Sequence, residues 1–433
     1  MSPLVTSVLD DIDGGKKSGF PSHSVPHHGQ IRMEEPSTTP AGVVNDGGGG
    51  GAAATGDLLS LDSEKFVPFV RNDLYGTKGE GALGLIDRLR LFVAACTLLP
   101  IRILGSIFFV VLYYVICRLL TSPSPTAGSS GKLAVVELQG IRRTIIKCSG
   151  QFCARAVLFI CGFYYIRESR RPRVGTTVED ARVPHSGAST SAQFCSQESG
   201  KRNSSGTATV DGNGEGDAGD ACDWPTAIVS NHVSWVDILY HMYAFYPSFV
   251  AKESVAGIPL VGLISKCMGC IFVKREGVRV KGTSTLVLDR LISVQKNKHA
   301  QPMLLFPEGT TTNGEYLLPF KTGAFLAQSP VLPVLLRYPH RRLSPTWETI
   351  TATRHIFLLM CQLVNRLEVT IFPTYIPSEK ERLDPRLYAD NVRLMLLREG
   401  GLRASKSGLR EKRVYQALLC GETPSIERNE KLD

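Results

Sequence analysis

Residues 225–245, PTAIVSNHVSWVDILYHMYAF, contain the strand-to-helix transition that decides the fold. The run TAIVS is typical of a buried strand, and ILYHMYAF is typical of a helix that Asn231 or Ser234 is suited to cap. On one continuous helix, His232 and Asp237 would point roughly 140° apart. They can therefore meet only if His232 precedes the first turn and Asp237 points back toward it. From this stretch alone, a catalytic pair and a chance polar pair are both open.

The alternation of strand-like and helical segments continues to about residue 377. The further strand-like runs are SFVA, CIFV, MLLF, VLPVLLRY and LEVTIF. A helix is predicted over residues 283–297, with an apolar face that comprises Val287, Leu288, Leu291 and Val294. Another is predicted over residues 384–400, with Asp384 as N-cap, Pro385 in the first turn and Gly400 past its end. This pattern predicts an α/β fold, a sheet flanked by helices. Pro333, inside the apolar run of residues 331–339, predicts an edge strand or a bulge that lines a cleft.

Composition narrows the class of partner. The 433 residues include 49 Lys and Arg against 40 Asp and Glu, a net charge of +9. This excess suits an anionic membrane surface, a phosphate-bearing substrate or nucleic acid. No Cys/His finger, aromatic RNA-binding motif or long Lys/Arg run is present, so nucleic acid ranks last. The 11 cysteines are odd in number and scattered, which predicts reduced thiols. Cys267 and Cys270 form a lone CxxC that predicts a buried pair in preference to a metal or redox site.

Two segments are too polar and too rich in glycine and serine to form a core. They cover residues 1 to about 60 and 169–223, and both are interpreted as disordered. The predicted organisation is a disordered tail (1–65), a membrane-anchoring helical region (66–168), a disordered insertion (169–223), a catalytic domain (224–378), a C-terminal helical segment (379–420) and a frayed tail (421–433).

Residues 91–117 are the strongest membrane signal. The uncharged runs 91–101 and 103–117 flank Arg102, and the second is about 22 Å of helix against roughly 30 Å of hydrocarbon. A tilted span fits these runs, and so does a re-entrant pair of half-helices bent at Pro100.

A second amphipathic stretch covers residues 141–166. Its apolar stripe comprises Ile141, Ile145, Cys148, Phe152, Ala156 and Phe159, and its polar face comprises Arg143, Lys147, Gln151 and Arg155. The pattern indicates either an interfacial helix or a helix packed on the catalytic domain.

Two further stretches carry chemistry. In FPEGTTTNG, residues 306–314, Glu308 stands beside Gly309 in a turn that follows a strand, where it can position a hydroxyl or help to hold an anion. In GCIFVKRE, residues 269–276, Arg275 lies at a strand end and is suited to bidentate phosphate binding. An ordinary strand-to-loop junction and a solvated arginine are the plainer alternatives.

The order NHxxxxD, GxxFxxR, FPEGT and a proline-centred apolar stretch closely resembles the glycerolipid acyltransferase superfamily. These blocks are residues 231–237, 269–275, 306–310 and 331–334. From residue 71 to residue 419 the chain resembles the lysophospholipid acyltransferase branch, and most of all the plant-type lysophosphatidylethanolamine acyltransferases. The resemblance implies a glycerolipid-acyltransferase-like sheet with membrane-embedded N-terminal helices. Many superfamily members have arginine where this chain has Thr311, which leaves Arg275 as the main phosphate candidate.

The resemblance also implies a mechanism. His232 would be the general base toward a lysophospholipid hydroxyl, oriented by Asp237. N–H groups near Gly309 and Thr310 would stabilise the oxyanion. Glu308 and Arg275 would orient the glycerol and phosphate of the acceptor. Acyl-CoA would be a co-substrate, and no metal or bound cofactor is implied.

We expect the protein in the endoplasmic reticulum membrane. Its site is expected on the cytosolic face, where a soluble thioester would meet a lipid of the bilayer. Lysophosphatidylethanolamine is the favoured acceptor. The alternatives are lysophosphatidylcholine, 1-acylglycerol 3-phosphate and an inactive membrane scaffold. Four aromatic residues near the motifs are suited either to a cage for a choline headgroup or to a membrane-facing belt: Trp235, Tyr240, Tyr243 and Tyr316.

Overall fold

The protein is described by a computed structural model over residues 64–79, 81–121, 140–172, 224–273, 283–297, 300–346 and 349–422. Of the predicted disordered segments, 1–65 and 169–223, residues 1–63 and 173–223 lie outside the described residues. Glu64 and Lys65 begin a 3-10 helix, so the predicted tail extends too far by these two residues.

The described residues form nine strands and nine α-helices. The strands are β1 Ile166–Arg170, β2 Ala227–Ser230, β3 Val250–Lys252, β4 Ile271–Val273, β5 Met303–Leu305, β6 Tyr316–Leu317, β7 Val331–Arg337, β8 Leu367–Ile371 and β9 Arg403–Ala404. The helices are α1 Leu85–Leu120, α2 Gly140–Ile160, α3 Val236–Ala244, α4 Val261–Cys267, α5 Thr283–Lys296, α6 Ala352–Cys361, α7 Glu379–Leu383, α8 Pro385–Gly400 and α9 Leu409–Leu419. A 3-10 helix, Glu64–Phe69, precedes them.

The central sheet has the strand order β1-β8-β7-β2-β5, which confirms the predicted α/β class. β2 pairs in parallel with β5 and β7, and β8 runs antiparallel to β7. Successive residues of β2 alternate between two cores: Ile228 packs in the core that includes α3 and α6, and Val229 packs in the core that includes α5 and α8. Both faces of the sheet are thus covered, as is usual for parallel strands.

The prediction that the proline marks an edge strand or bulge is wrong, because β7 lies between β2 and β8. Pro333 is paired with Val229 of β2, while the pairing with β8 begins at Val334. The Pro333 carbonyl accepts the N–H of Phe372, one residue after β8 ends. The N–H that proline lacks would therefore face Phe372, just past the end of β8, where the regular pairing of the two strands stops.

The first apolar segment is one helix, α1, that continues through Pro100. It is not divided into two half-helices. Arg102 is buried and donates hydrogen bonds to the carbonyls of Met360, Gln362 and Leu363 at the C-terminal end of α6. Positive charge at a helix C-terminus is electrostatically favourable. The charge that interrupts the apolar run therefore fastens α1 to the catalytic domain.

Helix α2 packs on the rest of the protein, as one of the two interpretations predicted, and its contact with a membrane stays a prediction. One face, which includes Ile146, Gly150 and Val157, is buried against neighbouring helices, chiefly α1 and α3. The predicted apolar stripe faces outward, with Ile141, Phe152 and Phe159 exposed.

The boundary predicted at residues 168/169 is wrong. Strand β1 pairs in parallel with β8 over all five of its residues, so the chain joins the central sheet directly after α2. The helical region and the catalytic domain therefore share one sheet. At the C-terminal side, Asp384 caps α8 as predicted, and the helix ends on Gly401 in the left-handed conformation (φ 59°), one residue later than expected.

Candidate active site

His232 and Asp237 meet at the carboxyl end of β2. The His232 Nδ1 atom lies 2.8 Å from Asp237 Oδ2. Helix α3 begins only at Val236, so His232 precedes the first turn and Asp237 points back to it, the single arrangement that the sequence permitted. The Asp237 side chain is fully buried, whereas that of His232 is 20% exposed. One ring nitrogen of His232 is thus held by a carboxylate, which leaves Nε2 as the nitrogen for a substrate.

The buried charge of Asp237 is compensated by hydrogen-bond donors on both oxygens. Besides His232, Oδ2 accepts the N–H groups of Val233 (2.7 Å) and Ser234 (2.9 Å). Oδ1 accepts the hydroxyl of Tyr338, one residue past β7, at 2.5 Å. Buried carboxylates are tolerated when they are bonded in this way. Burial and the adjacent Asp237 charge raise the pKa of Tyr338 well above its ordinary value, so Tyr338 remains a donor.

Of the two predicted caps, only Ser234 contacts the helix start: its hydroxyl accepts the N–H of Val236, the first residue of α3, at 3.4 Å. The N-cap position is Trp235, which makes no side-chain cap bond. Asn231 instead links β2 to β7: it donates to the Leu336 carbonyl (3.0 Å) and accepts the Leu336 N–H (2.8 Å). Its side chain thereby takes the place of a strand residue and fixes where the His232 loop leaves the sheet.

Glu308 is a buried link between the FPEGT loop and the His232 loop. Oε1 accepts the N–H of His232 at 3.0 Å, and Oε2 accepts the N–H of Leu318 at 2.9 Å. With 2% exposure and both oxygens bonded to the main chain, Glu308 is placed to position His232. It is not placed for the predicted contact with the acceptor glycerol. Burial raises the pKa of Glu308 to about 8, against the opposing effect of the two N–H bonds.

The loop after Glu308 runs beside His232, because the Thr312 N–H donates to the His232 carbonyl at 3.0 Å. Gly309 has a φ of +71°, a left-handed backbone conformation that favours glycine. The Gly309 N–H closes this turn onto the Phe306 carbonyl. It is therefore engaged and does not suit the oxyanion role expected for it. Among the described residues, no hydrogen bond uses the Thr310 N–H, which leaves it as a main-chain donor for an oxyanion.

Two aromatic rings pack behind the pair. Phe306 stacks on the His232 imidazole, with ring centroids 3.9 Å apart and an interplanar angle of 10°. His241, one turn after Asp237, lies edge-on to Phe306 at 6.0 Å. Neither nitrogen of His241 has a hydrogen-bond partner among the described residues, and burial lowers its pKa to about 3. His241 is therefore neutral and acts as packing behind the site.

Arg275 lies outside the described residues, so its proposed phosphate contact stays a prediction. The four aromatic residues considered for a choline cage do not share one opening. Tyr240 is fully buried and donates to Glu168 Oε1 at 3.1 Å, and Tyr316 packs under the Arg403 guanidinium.

Sequence patterns gave no signal for Tyr338, for the Asn231–Leu336 link or for Lys412. Lys412 lies on α9 and donates to the hydroxyls of Thr310 and Thr311. These partners are about a hundred residues from the motifs that they contact, and only the α/β topology brings them together.

Comparison with known proteins agrees with the resemblance. Residues 223–337 match the Acyltransferase family model. The chain is 45% identical to the lysophospholipid acyltransferase LPEAT1 of Arabidopsis thaliana over 370 residues, 83% of this chain and 87% of that protein. It is 37% identical to LPEAT2 of the same plant over 155 residues, 36% of this chain and 28% of that protein.

Among solved structures, the 1-acyl-sn-glycerophosphate (LPA) acyltransferase PlsC of Thermotoga maritima aligns with a TM-score of 0.39 and 16% identity, over 74% of this chain and 99% of that chain. At 45% identity over most of both chains, the match to LPEAT1 identifies this protein as an enzyme that belongs to the lysophospholipid acyltransferase family.

Proposed function

We propose that this enzyme transfers a fatty acyl group from acyl-CoA to the free hydroxyl of a lysophospholipid, with His232 as the general base and lysophosphatidylethanolamine as the preferred acceptor. The observation that carries the proposal is the 2.8 Å contact between His232 Nδ1 and a fully buried Asp237. A partly exposed imidazole held by a buried carboxylate is the arrangement of a base that must form and release an imidazolium.

The reaction needs no enzyme nucleophile, because a thioester carbonyl is open to direct attack. The glycerol hydroxyl loses its proton to His232 Nε2 as its oxygen bonds to the thioester carbon. Asp237 stabilises the imidazolium and holds the ring orientation. The tetrahedral intermediate then expels the coenzyme A thiolate, which takes the proton from His232 Nε2. The N–H of Thr310 is the main-chain donor that we assign to the oxyanion.

The acceptor is a lipid, so the site must lie at a membrane surface, and the outer face of α1 and α2 supports this placement. Large apolar side chains there are exposed: Leu89, Phe92, Ile101, Leu104, Ile107, Phe108, Ile141, Phe152 and Phe159. An open, largely apolar groove of about 390 Å³ between the two helices is lined by Phe109, Phe152, Arg155, Ala156, Phe159 and Ile160. Exposed apolar surface of this extent is typical of a membrane-contacting face.

The contacts of α1 favour a helix that lies along the membrane surface. α1 is long and apolar enough to cross a bilayer. It is, however, bonded to the rest of the protein near its start, its middle and its end. Asp87 pairs with Arg342 near its start, Arg102 bonds to α6 at its middle, and Tyr113 bonds to Tyr246 (2.6 Å) near its end. These three attachments support a helix that stays against the domain. We therefore place α1 and α2 in one leaflet, with the active site at the cytosolic face of the endoplasmic reticulum.

The headgroup preference rests on similarity. The first relative, LPEAT1, is named a lysophospholipid acyltransferase, and other relatives are named lysophosphatidylcholine acyltransferases, such as the Drosophila melanogaster protein that is 37% identical over 44% of this chain. The ethanolamine lipid is favoured by the resemblance of residues 71–419 to plant-type lysophosphatidylethanolamine acyltransferases.

The test is a competition assay. Purified full-length enzyme is given acyl-CoA and equal amounts of lysophosphatidylethanolamine, lysophosphatidylcholine and lysophosphatidic acid in mixed micelles, and products are measured by mass spectrometry. We expect phosphatidylethanolamine to form fastest, with release of one free coenzyme A thiol per acyl group transferred. A choline preference would overturn the headgroup assignment, and the absence of acylated product from all three lipids would overturn the proposed reaction.

A further inference from the structure

A buried lysine from the C-terminal helix reaches the FPEGT loop. Lys412 lies on α9 and is 6% exposed. Its Nζ atom donates hydrogen bonds to Thr310 Oγ1 (3.0 Å) and to Thr311 Oγ1 (2.9 Å). Lys412 lies beyond residues 223–337, the stretch that the family model matches. Lys412 is part of neither the family model nor the four sequence blocks, so neither assigns it a role.

Helix α9 is held firmly on this loop. Tyr415 and Phe66 pack with Leu318 in a small buried cluster, and the two aromatic rings are 5.4 Å apart. Leu318 is the residue whose N–H bonds to Glu308. Arg393 of α8 adds a second connection, because it donates to the carbonyls of Leu318 (2.7 Å) and Ser405 (2.8 Å). The position of Lys412 is thus fixed relative to the His232 loop.

The contact with Lys412 determines which way the hydroxyl protons of the two threonines point. An ammonium group is only a donor, so each threonine oxygen accepts from Lys412 through a lone pair. The hydroxyl proton of each threonine must then point away from Lys412, and the adjacent positive charge strengthens it as a donor. Two polarised O–H groups from adjacent residues suit an anion. Thr310 is 8% exposed and Thr311 is 5% exposed, so an anion bound there would be largely removed from water, where hydrogen bonds are stronger.

We infer that Lys412, through the hydroxyls of Thr310 and Thr311, positions the phosphate of the lysophospholipid acceptor. Lys412 is a positioning residue in this assignment, and the inference rests on the proposed function. Thr311 stands where many members of the superfamily have arginine, and here the positive charge comes from α9 instead.

The location favours the phosphate of the lipid over those of coenzyme A. The same loop bonds to His232, since the Thr312 N–H donates to the His232 carbonyl. In a 1-acyl lysophospholipid the phosphate is carried by the carbon next to the one that bears the reacting hydroxyl. The phosphates of coenzyme A are separated from the thioester by the whole pantetheine arm. A phosphate site beside the general base therefore fits the acceptor.

The experiment compares Lys412→Met and Lys412→Arg with Arg413→Met, which removes an exposed cation from the same helix. Steady-state kinetics give KM for the lysolipid and for acyl-CoA, and sn-glycerol 3-phosphate serves as a soluble inhibitor that probes the phosphate site. We expect Lys412→Met to raise the lysolipid KM about tenfold or more and to weaken the inhibitor similarly. The KM for acyl-CoA should be unchanged, Lys412→Arg should recover most of the loss, and Arg413→Met should match the wild type.

Thr311→Val retains Lys412 and its bond to Thr310 but removes one hydroxyl, so it tests the same inference if Lys412→Met does not fold. It too should raise the lysolipid KM and leave the acyl-CoA KM unchanged. A raised acyl-CoA KM alone would overturn the inference in favour of a coenzyme A contact. A lowered melting temperature with both KM values and the inhibition constant unchanged would overturn it in favour of a purely structural bond. Wild-type enzyme that acylates no lysophospholipid would instead refute the proposed function.

Discussion

The main-chain N–H of His232 donates a 3.0 Å hydrogen bond to Oε1 of Glu308, 76 residues later in the chain. The second carboxylate oxygen of Glu308 accepts the N–H of Leu318. One buried side chain thereby fixes both the backbone of His232, the proposed general base, and the loop that carries Thr310, the proposed oxyanion donor. The acidic residue of the FPEGT motif thus has a positioning role in this protein.

Glu308→Gln should impair both folding and turnover. A glutamine amide has one acceptor oxygen, so its NH2 group would face either the His232 N–H or the Leu318 N–H. A buried donor left without an acceptor costs about 1–3 kcal/mol. We expect a lower melting temperature and a reduced kcat, measured on purified enzyme. A variant with wild-type values for both would contradict the positioning role.

The same variant gives a pH test. The pKa of Glu308 in the folded protein, about 8, is above its ordinary value of 4.5, because burial disfavours the carboxylate. The folded protein therefore holds this proton more tightly than the unfolded chain does. The stability that this gives is present below about pH 4.5 and is lost as the pH rises through about 8. The difference in melting temperature between wild type and Glu308→Gln should narrow from about pH 5 to about pH 9. A difference that stays constant or widens would contradict a raised pKa.

Tyr338→Phe removes the donor to Asp237 Oδ1 and leaves the ring packing intact. Asp237 should then hold the imidazole less firmly, and we expect kcat to fall about tenfold. Tyr375→Phe is the matched control, because Tyr375 donates to another carboxylate, Glu381, at 2.6 Å. Equal kcat values for the two phenylalanine variants would show that the Tyr338 bond contributes nothing to catalysis.

Arg102→Met tests whether α1 is part of the catalytic domain. The substitution leaves the carbonyls of Met360, Gln362 and Leu363 without this donor, and we expect a loss of about 3 kcal/mol or more in the free energy of unfolding. Arg118→Met on the exposed face of the same helix should change the free energy of unfolding by less than about 0.5 kcal/mol. Denaturant titration in detergent micelles measures both. Similar values for the two variants would refute the anchoring role of Arg102.

A double variant, Phe108→Asp with Phe152→Asp, places charges on the outer faces of α1 and α2, where these rings are 60% and 63% exposed. Flotation with phospholipid vesicles should show roughly tenfold weaker binding, because buried apolar area drives interfacial binding. Leu383→Asp, at an 87% exposed leucine of α7, is the control and should bind as the wild type does. Equal flotation of the wild type, the double variant and Leu383→Asp would exclude this face as the membrane contact.

Local patterns predicted the central strands well, because β2, β5, β7 and β8 are apolar runs between turns. They missed β1, Ile166–Arg170, whose last four residues are exposed and whose sequence, IRESR, has no apolar alternation. The register of a strand and its neighbours in the sheet depend on tertiary packing. A local pattern therefore could not predict that Pro333 lies in a central strand.

The sequence predicted how His232 and Asp237 could meet, because only a helix that starts between them brings the two side chains together. The surrounding residues were not predictable. Tyr338 lies 101 residues from Asp237, and Lys412 lies 102 residues from Thr310. Contacts over such separations are set by the order of strands and helices, and no local periodicity records them.

The most direct test of the account is the initial rate of acyl transfer from acyl-CoA to lysophosphatidylethanolamine by His232→Ala beside the wild type, with vesicle flotation and melting temperature measured on both. Wild type should form phosphatidylethanolamine and free coenzyme A in equal amounts. His232→Ala should lose about 10³-fold or more in rate, as expected when a general base is removed, yet float and melt as the wild type does. A folded, membrane-bound His232→Ala enzyme that retained near-wild-type turnover would contradict the account.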